Sequence, residues 1–383
     1  MSEKVNILLG QGGPLSNINK IDGNFIVEST TIFNYASSGE PPTRPTRPNN
    51  SRPFIILGTY EGWSYSPESG NPFQIHNIDV NKLTHVAYAY IQPNANGSIN
   101  YMDDQNDAGK RFRPFLRLKD KNENIKLLLS VGGWMEDATI FPKVIQDDAT
   151  LDEFVKNLNA LFKKFNFDGL NLVWLYPKTD EKSLFIKFFS KLREEAAFKD
   201  RLLTMAVSNH FSFDDFSDLN GLVDYYNIMS YGFSKYEPKT ELNAPIASIN
   251  HLVENLVNAE MEYKKIILGL GFRGLKFNLK DPERNGLNSD CVSLGESMTA
   301  FQIQQLMSSG MWTTVRVAAE DSVYSYLSNT WIGHEDESSI SAKTQYAFTE
   351  RYAGVMVDAV NCERASDCRL LNAIRTTLDE INK

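Results

Sequence analysis

The stretch Phe167-Asp168-Gly169-Leu170-Asn171-Leu172-Val173-Trp174-Leu175-Tyr176-Pro177 constrains the fold more than any other part of the chain. Side chains alternate between faces in an extended strand, so Asn171, Val173 and Leu175 share one side and Leu170, Leu172 and Trp174 the other. Both sides are mostly apolar. A strand covered twice belongs in a parallel sheet wrapped by helices rather than in a half-exposed hairpin.

The neighbouring segments supply the wrapping. Before this strand, Leu151, Phe154, Val155, Leu158, Leu161, Phe162 and Phe165 fall on one face at helical steps, and after it Leu184, Phe185, Phe188, Phe189 and Leu192 do the same. Seven further apolar runs read as strands: Phe54 to Tyr60, Thr84 to Tyr90, Lys126 to Trp134, Leu202 to Ser208, Asp224 to Tyr231, Lys265 to Phe272 and Gly354 to Asp358. A helical stripe of Ile249, Leu252, Val253, Leu256 and Val257 precedes the seventh strand, and Leu370, Leu371, Ile374, Leu378 and Ile381 follow the eighth. Eight strands alternating with helices predict a (β/α)8 TIM barrel. A length of 383 residues with 42% hydrophobic content suits one such domain plus an appendage.

The appendage is residues 1–52, and the barrel is expected over 53–383. Gly10-Gln11-Gly12-Gly13-Pro14 is a turn cluster that lacks the Lys-Ser/Thr ending of a phosphate loop. Short β-favouring runs follow at Asn24 to Val27 and Thr30 to Phe33, and Pro41-Pro42-Thr43-Arg44-Pro45-Thr46-Arg47-Pro48 makes a stiff, extended linker. Two uses of this arm stay open: it presents its small N-terminal piece to a protein partner, or it covers the barrel's own surface.

Charge and cysteine usage exclude several classes. A formal net charge of -9, with no contiguous basic run longer than Lys163-Lys164 or Lys264-Lys265, argues against nucleic acid or anionic membrane as the main partner. No apolar run approaches the length of a spanning helix. The start, Met1 to Gly10, lacks the apolar core of a secretory signal, so synthesis in the cytoplasm is expected, with release as part of a particle as a further expectation. Cys291, Cys362 and Cys368 have neither disulfide-framework nor zinc-site spacing, and a Cys362–Cys368 pairing is left open. His76, His85, His210, His251 and His334 show no metal spacing, so no metal and no cofactor is expected.

At the central strand the residues resemble the family 18 glycoside hydrolases, the chitinases and chitinase-like proteins, whose fourth barrel strand reads Phe-Asp-Gly-x-Asp-x-Asp-Trp-Glu-Tyr-Pro. Here the frame survives as Phe167, Asp168, Gly169, Trp174, Tyr176 and Pro177. Other framework matches are Thr84-His85 with Tyr88-Ala89, the Ser130-Val131-Gly132-Gly133 turn, Trp331-Ile332-Gly333-His334-Glu335-Asp336 and Ser339 with Lys343. The resemblance covers roughly residues 54–383 and implies a short α+β insertion between strands seven and eight, over 273–343.

The departures lie where the resemblance places the chemistry. In the family the terminal Glu protonates the glycosidic oxygen and the middle Asp assists the substrate's own N-acetyl group, one of the substrate-assisted exceptions to the two-carboxylate scheme. Those inward positions are Asn171, Val173 and Leu175 here, and only the outermost, Asp168, keeps its acid. A hydrocarbon has no proton to give, and general acid catalysis supplies on the order of 10² to 10⁴ in rate. Further changes fall at other strand ends: Gly232 for the Asp after Tyr231, Arg273 on strand seven, and Asp358 for the Trp that floors the sugar site. Trp63, Trp134, Tyr176 and Tyr231 remain as candidate sugar-contacting residues, with rim packing as the plainer use. Glu61, Asp168 and Asp358 are the candidate replacement acids near the mouth.

The expectation is a catalytically inactive chitinase-like protein acting as a binding or structural module. The resemblance extends to members that serve as parts of insecticidal particles, which makes a subunit or docking component of a larger assembly the first expectation. A lectin for chitin or N-acetylglucosamine oligosaccharides is the second, and a weak or altered hydrolase the third.

Overall fold

The computed structural model describes residues 17–21, 24–28, 53–65, 73–101, 108–133, 139–211, 213–233 and 237–382. The turn cluster at Gly10 to Pro14, the run Thr30 to Phe33, the proline-rich linker and Trp134 lie outside them.

Two strands come from the arm, β1 (Asn17–Ile21) and β2 (Asn24–Glu28). The chain then continues through β3 (Ile55–Glu61), β4 (His85–Pro93), the short β5 (Ile99–Asn100), β6 (Lys126–Gly133), β7 (Gly169–Trp174), β8 (Leu202–Ser208), β9 (Tyr225–Met229) and β10 (Ile266–Gly271). After β10 come β11 (Arg273–Asn278), β12 (Glu296–Thr299), β13 (Thr313–Val317), β14 (Ser322–Leu327), β15 (Thr330–His334) and finally β16 (Gly354–Asp358). Eight of these, β3, β4, β6, β7, β8, β9, β10 and β16, pair in parallel around a ring that closes where β16 meets β3. The fold is the expected (β/α)8 barrel.

The central strand behaves as its alternation requires. Leu170, Leu172 and Trp174 join the apolar shell between sheet and helices, and Trp174 stacks between Phe141 (5.3 Å) and Phe185 (4.6 Å). The helix Asp148–Phe165 buries all seven residues of its predicted stripe against that shell, each contributing roughly 1.5–3 kcal/mol of transfer free energy. It starts where the Asp147 carboxylate accepts the Thr150 N–H at 2.8 Å and ends at Asn166 in the left-handed conformation. The stripe before β10 is one residue shorter than expected: the helix Ile246–Asn258 is in its last turn at Val257, which is exposed. Inside the barrel, Ile55, Leu57, Ala87, Leu128, Ile267 and Met356 form a separate apolar layer.

Strands β11 to β15 build a second sheet with its own core of Leu242, Phe277, Leu279, Cys291, Val315, Tyr324 and Trp331. Strand β2 adds to its edge, pairing in parallel with β13 in the register that sets Phe25 beside Val315 and Val27 beside Val317 along the backbone. The arm thus meets the inserted sheet. Ser339 and Lys343 lie on the helix Glu337–Thr349, which packs on β10, β16 and the C-terminal helix Arg369–Ile381. All three cysteines are free and buried, so Cys362 and Cys368 do not pair.

Candidate functional site at the barrel mouth

Strand β7 ends where a family 18 hydrolase would keep its acids, and its inward side chains now meet a neutral interior. Asn171 Nδ2 donates to Ser130 Oγ at 3.1 Å, while Asn171 Oδ1 accepts from Thr204 Oγ1 and Asn227 Nδ2, both at 2.9 Å. Asn227 Nδ2 also donates to Thr204 Oγ1 at 3.2 Å, and all four side chains are buried. An amide suits this place because it donates and accepts at once without carrying a charge into the interior. Val173 is buried beside it, and Leu175, the first residue after β7, is half-buried.

The ionisable groups of the mouth come from other strands. Glu61, at the end of β3, is held by Arg273 at the start of β11, with Nη2 at 2.7 Å from Oε1 and 2.6 Å from Oε2. Asp358, ending β16, accepts from Thr59 Oγ1 at 2.6 Å through one oxygen and from the Tyr231 hydroxyl at 2.5 Å through the other. Burial raises the Glu61 carboxyl above the usual range; Arg273 opposes this and Asp358 adds to it. Burial, and then the Asp358 charge, push the Tyr231 and Tyr90 hydroxyls well above theirs. These tyrosines keep their protons, and both oxygens of Glu61 are engaged by the Arg273 guanidinium.

Of the sequence-predicted site residues, the fold brings Tyr231, Arg273 and Asp358 together with Glu61. Thr59 and Tyr90 complete the group; their apolar surroundings in β3 and β4 give no local sign of it. Asp168 is elsewhere. It precedes β7 at the amino end of the barrel, opposite the mouth, where it accepts the Leu127 N–H at 2.7 Å and pairs with Lys119 at 2.8 Å. That removes it from the candidate replacement acids.

The mouth keeps exposed aromatic rings. Trp63 is 44% exposed and stacks on Tyr90 at 5.2 Å, and Tyr176 is 37% exposed with its ring 4.7 Å from that of His210. Gly132 and Gly133 end β6 at φ of 109° and 85°, and a Cβ on Gly132 would stand 2.2 Å from the Val173 carbonyl oxygen. The motif is therefore a steric requirement. Gly232 also has a positive φ, 66°, so the backbone itself disfavours a side chain there. Among the described residues no cluster of His, Cys, Asp and Glu could hold a metal ion.

A family model of the glycosyl hydrolases family 18 matches residues 56–361. Probable chitinase 2 of Drosophila melanogaster is 26% identical over 361 residues, covering 82% of this chain and 74% of the relative. Class V chitinase CHIT5a of Medicago truncatula is 25% identical over 349 residues, covering 83% and 88%. The crystal structure of Ostrinia furnacalis Group IV chitinase in complex with allosamidin superposes with a TM-score of 0.80 at 26% identity, over 85% of this chain and 99% of that one. With the closed barrel, the Gly132-Gly133 turn and the β7 frame in place, the chain belongs to family 18 of the glycosyl hydrolases.

Proposed function

We propose that this chain is a catalytically inactive member of its family that works by binding, as a subunit or docking module of a larger assembly. The carrying observation is the state of the mouth: hydrocarbon stands at the proton donor's position in Leu175, and both remaining carboxylates, Glu61 and Asp358, are already engaged by Arg273, Thr59 and Tyr231. Hydrolysis would need one of them freed and re-aimed. The strand that the arm adds to the inserted sheet supports the assembly role, because its outer partner β1 is the edge of that sheet among the described residues, and a sheet edge is a place for strand addition.

The test is hydrolysis of a fluorogenic chitobioside together with the size of the protein in its native extract. We expect turnover at the level of the blank and elution in a complex with other proteins. Turnover that survives repurification and is abolished by Asp358→Asn or Glu61→Gln overturns the inactive reading; elution as a lone monomer overturns the assembly.

The exposed Trp63 and Tyr176 rings favour a second reading, a lectin for chitin-type oligosaccharides, since exposed rings flanking a cleft are natural platforms for pyranose faces. Retention on chitin, displaced by chito-oligosaccharides and lost in Trp63→Ala, would support it.

A further inference from the structure

A second concavity lies on the flank of the barrel, between the helix Ala108–Leu116 with its following 3-10 turn Arg117–Asp120 and the turn Ile75–Asn77. Its volume is about 680 Å3, within the range of pockets that enclose a ligand. Ile75, Pro114 and Leu118 give it apolar walls, while Lys110, Arg111, Arg117 and Lys121 ring it. No described carboxylate lines it. This is the reverse of the chain as a whole, whose net charge is -9.

The charge comes from a spaced cluster rather than a run. Residues 110–121 carry six cations, Lys110, Arg111, Arg113, Arg117, Lys119 and Lys121, against the single acid Asp120. Counting only contiguous basic residues hides it. Lys119 is turned to the barrel's amino end by Asp168. Arg111 Nη1 donates to the Gly62 carbonyl at 3.2 Å and Lys121 Nζ to the His76 carbonyl at 2.8 Å, so these cations also tie the cleft's walls in place. Arg117 and Lys121 enter no ion pair among the described residues.

We infer that this cleft docks a short acidic peptide segment of a partner protein, one apolar side chain of which enters between Ile75, Pro114 and Leu118 while its carboxylates meet Arg117 and Lys121. Apolar walls inside a cationic rim match an amphipathic acidic segment better than a uniform polyanion. The acidic remainder of the surface would repel a long nucleic acid or anionic glycan that ran beyond the cleft. The inference rests on the reading that this chain works by binding other proteins.

The experiment uses the full chain and a fluorescein-labelled hexapeptide, Asp-Glu-Phe-Asp-Glu-Leu, followed by fluorescence anisotropy. We expect saturable binding that weakens as salt rises from about 50 to about 300 mM, because the rim charges are screened. Arg117→Glu with Lys121→Glu should weaken it by about tenfold or more, the scale on which a charge-paired contact is lost. Ile75→Ser keeps every charge and should weaken the peptide without weakening a single-stranded DNA oligonucleotide. Each variant is first matched to the parent in thermal melting.

The site is overturned by absence of saturable binding at low salt, by binding that ignores the double substitution, or by DNA that binds as tightly as the peptide and displaces it. If the peptide fails while the chain still elutes in an assembly, only this site falls. A working chitobiosidase would instead sink the inactive reading and leave peptide binding to stand or fall by itself.

Discussion

Asn171 shows how one uncharged residue can tie several barrel strands together. Its amide closes a ring of hydrogen bonds with Ser130, Thr204 and Asn227, so Asn171→Ala is expected to leave the Thr204 hydroxyl and the Asn227 amide without their shared acceptor. Each stranded buried polar group costs about 1–3 kcal/mol, which predicts a loss of about 2–4 kcal/mol in urea denaturation. An unchanged midpoint would mean that water replaces the amide. The β7 alternation put Asn171, Val173 and Leu175 on one face, and the resemblance to family 18 implied acids at those positions. What Asn171 does instead was not legible, since its partners come from three other strands.

At the scale of elements, the helix Glu337–Thr349 is fastened to the end of the inserted sheet by one buried ion pair. Lys343 Nζ lies 2.6 Å from Glu335 Oε2, with both side chains almost completely buried, and Ser339 Oγ donates to the same oxygen at 2.6 Å. Asp336 caps the helix by accepting the Ser339 N–H at 2.8 Å. Burial holds the Glu335 carboxyl above its usual range even beside Lys343. Lys343→Met strands that carboxylate and should cost about 3–5 kcal/mol, whereas adding Glu335→Gln to it should restore part of the loss. Equal costs for the single and double variants would show that the pair is not coupled. The Ser339 and Lys343 spacing was visible in the sequence as a motif, but its purpose depends on a glutamate brought in by β15.

Across the whole molecule, two titrations at different places pull in opposite directions. Burial and the nearby Lys126 hold His85 down at about 4, while burial raises Glu363 to about 7 against the backbone N–H groups of Leu370 and Leu371. As pH falls from 6.5, the unfolded chain takes up a histidine proton that the native state refuses, so stability is lost on the way down. As pH rises from 4.5, the unfolded chain releases a Glu363 proton that the native state retains, so stability is lost on the way up. The two slopes oppose each other in the window they share. Relative to the parent, His85→Asn should lose stability as pH rises from 4.5 to 6.5, and Glu363→Gln should lose it as pH falls through the same window. Urea midpoints measured against pH check this, and variant curves parallel to the parent would refute it.

By itself the sequence determined the barrel, the two faces of β7, the glycine turn after β6 and the hydrocarbon side chains of Val173 and Leu175, because periodicity and residue identity act over a few neighbours. Only the tertiary structure decided what the mouth became. Thr59 and Asp358 are 299 residues apart and Glu61 and Arg273 are 212 apart, yet barrel closure places each pair in hydrogen-bond contact. The same closure put Asp168 at the far end, since which end of a strand a residue occupies depends on where pairing with β6 and β8 begins. Local pattern specifies elements, but a site assembled from several strand ends exists only once their register has been set by the ring.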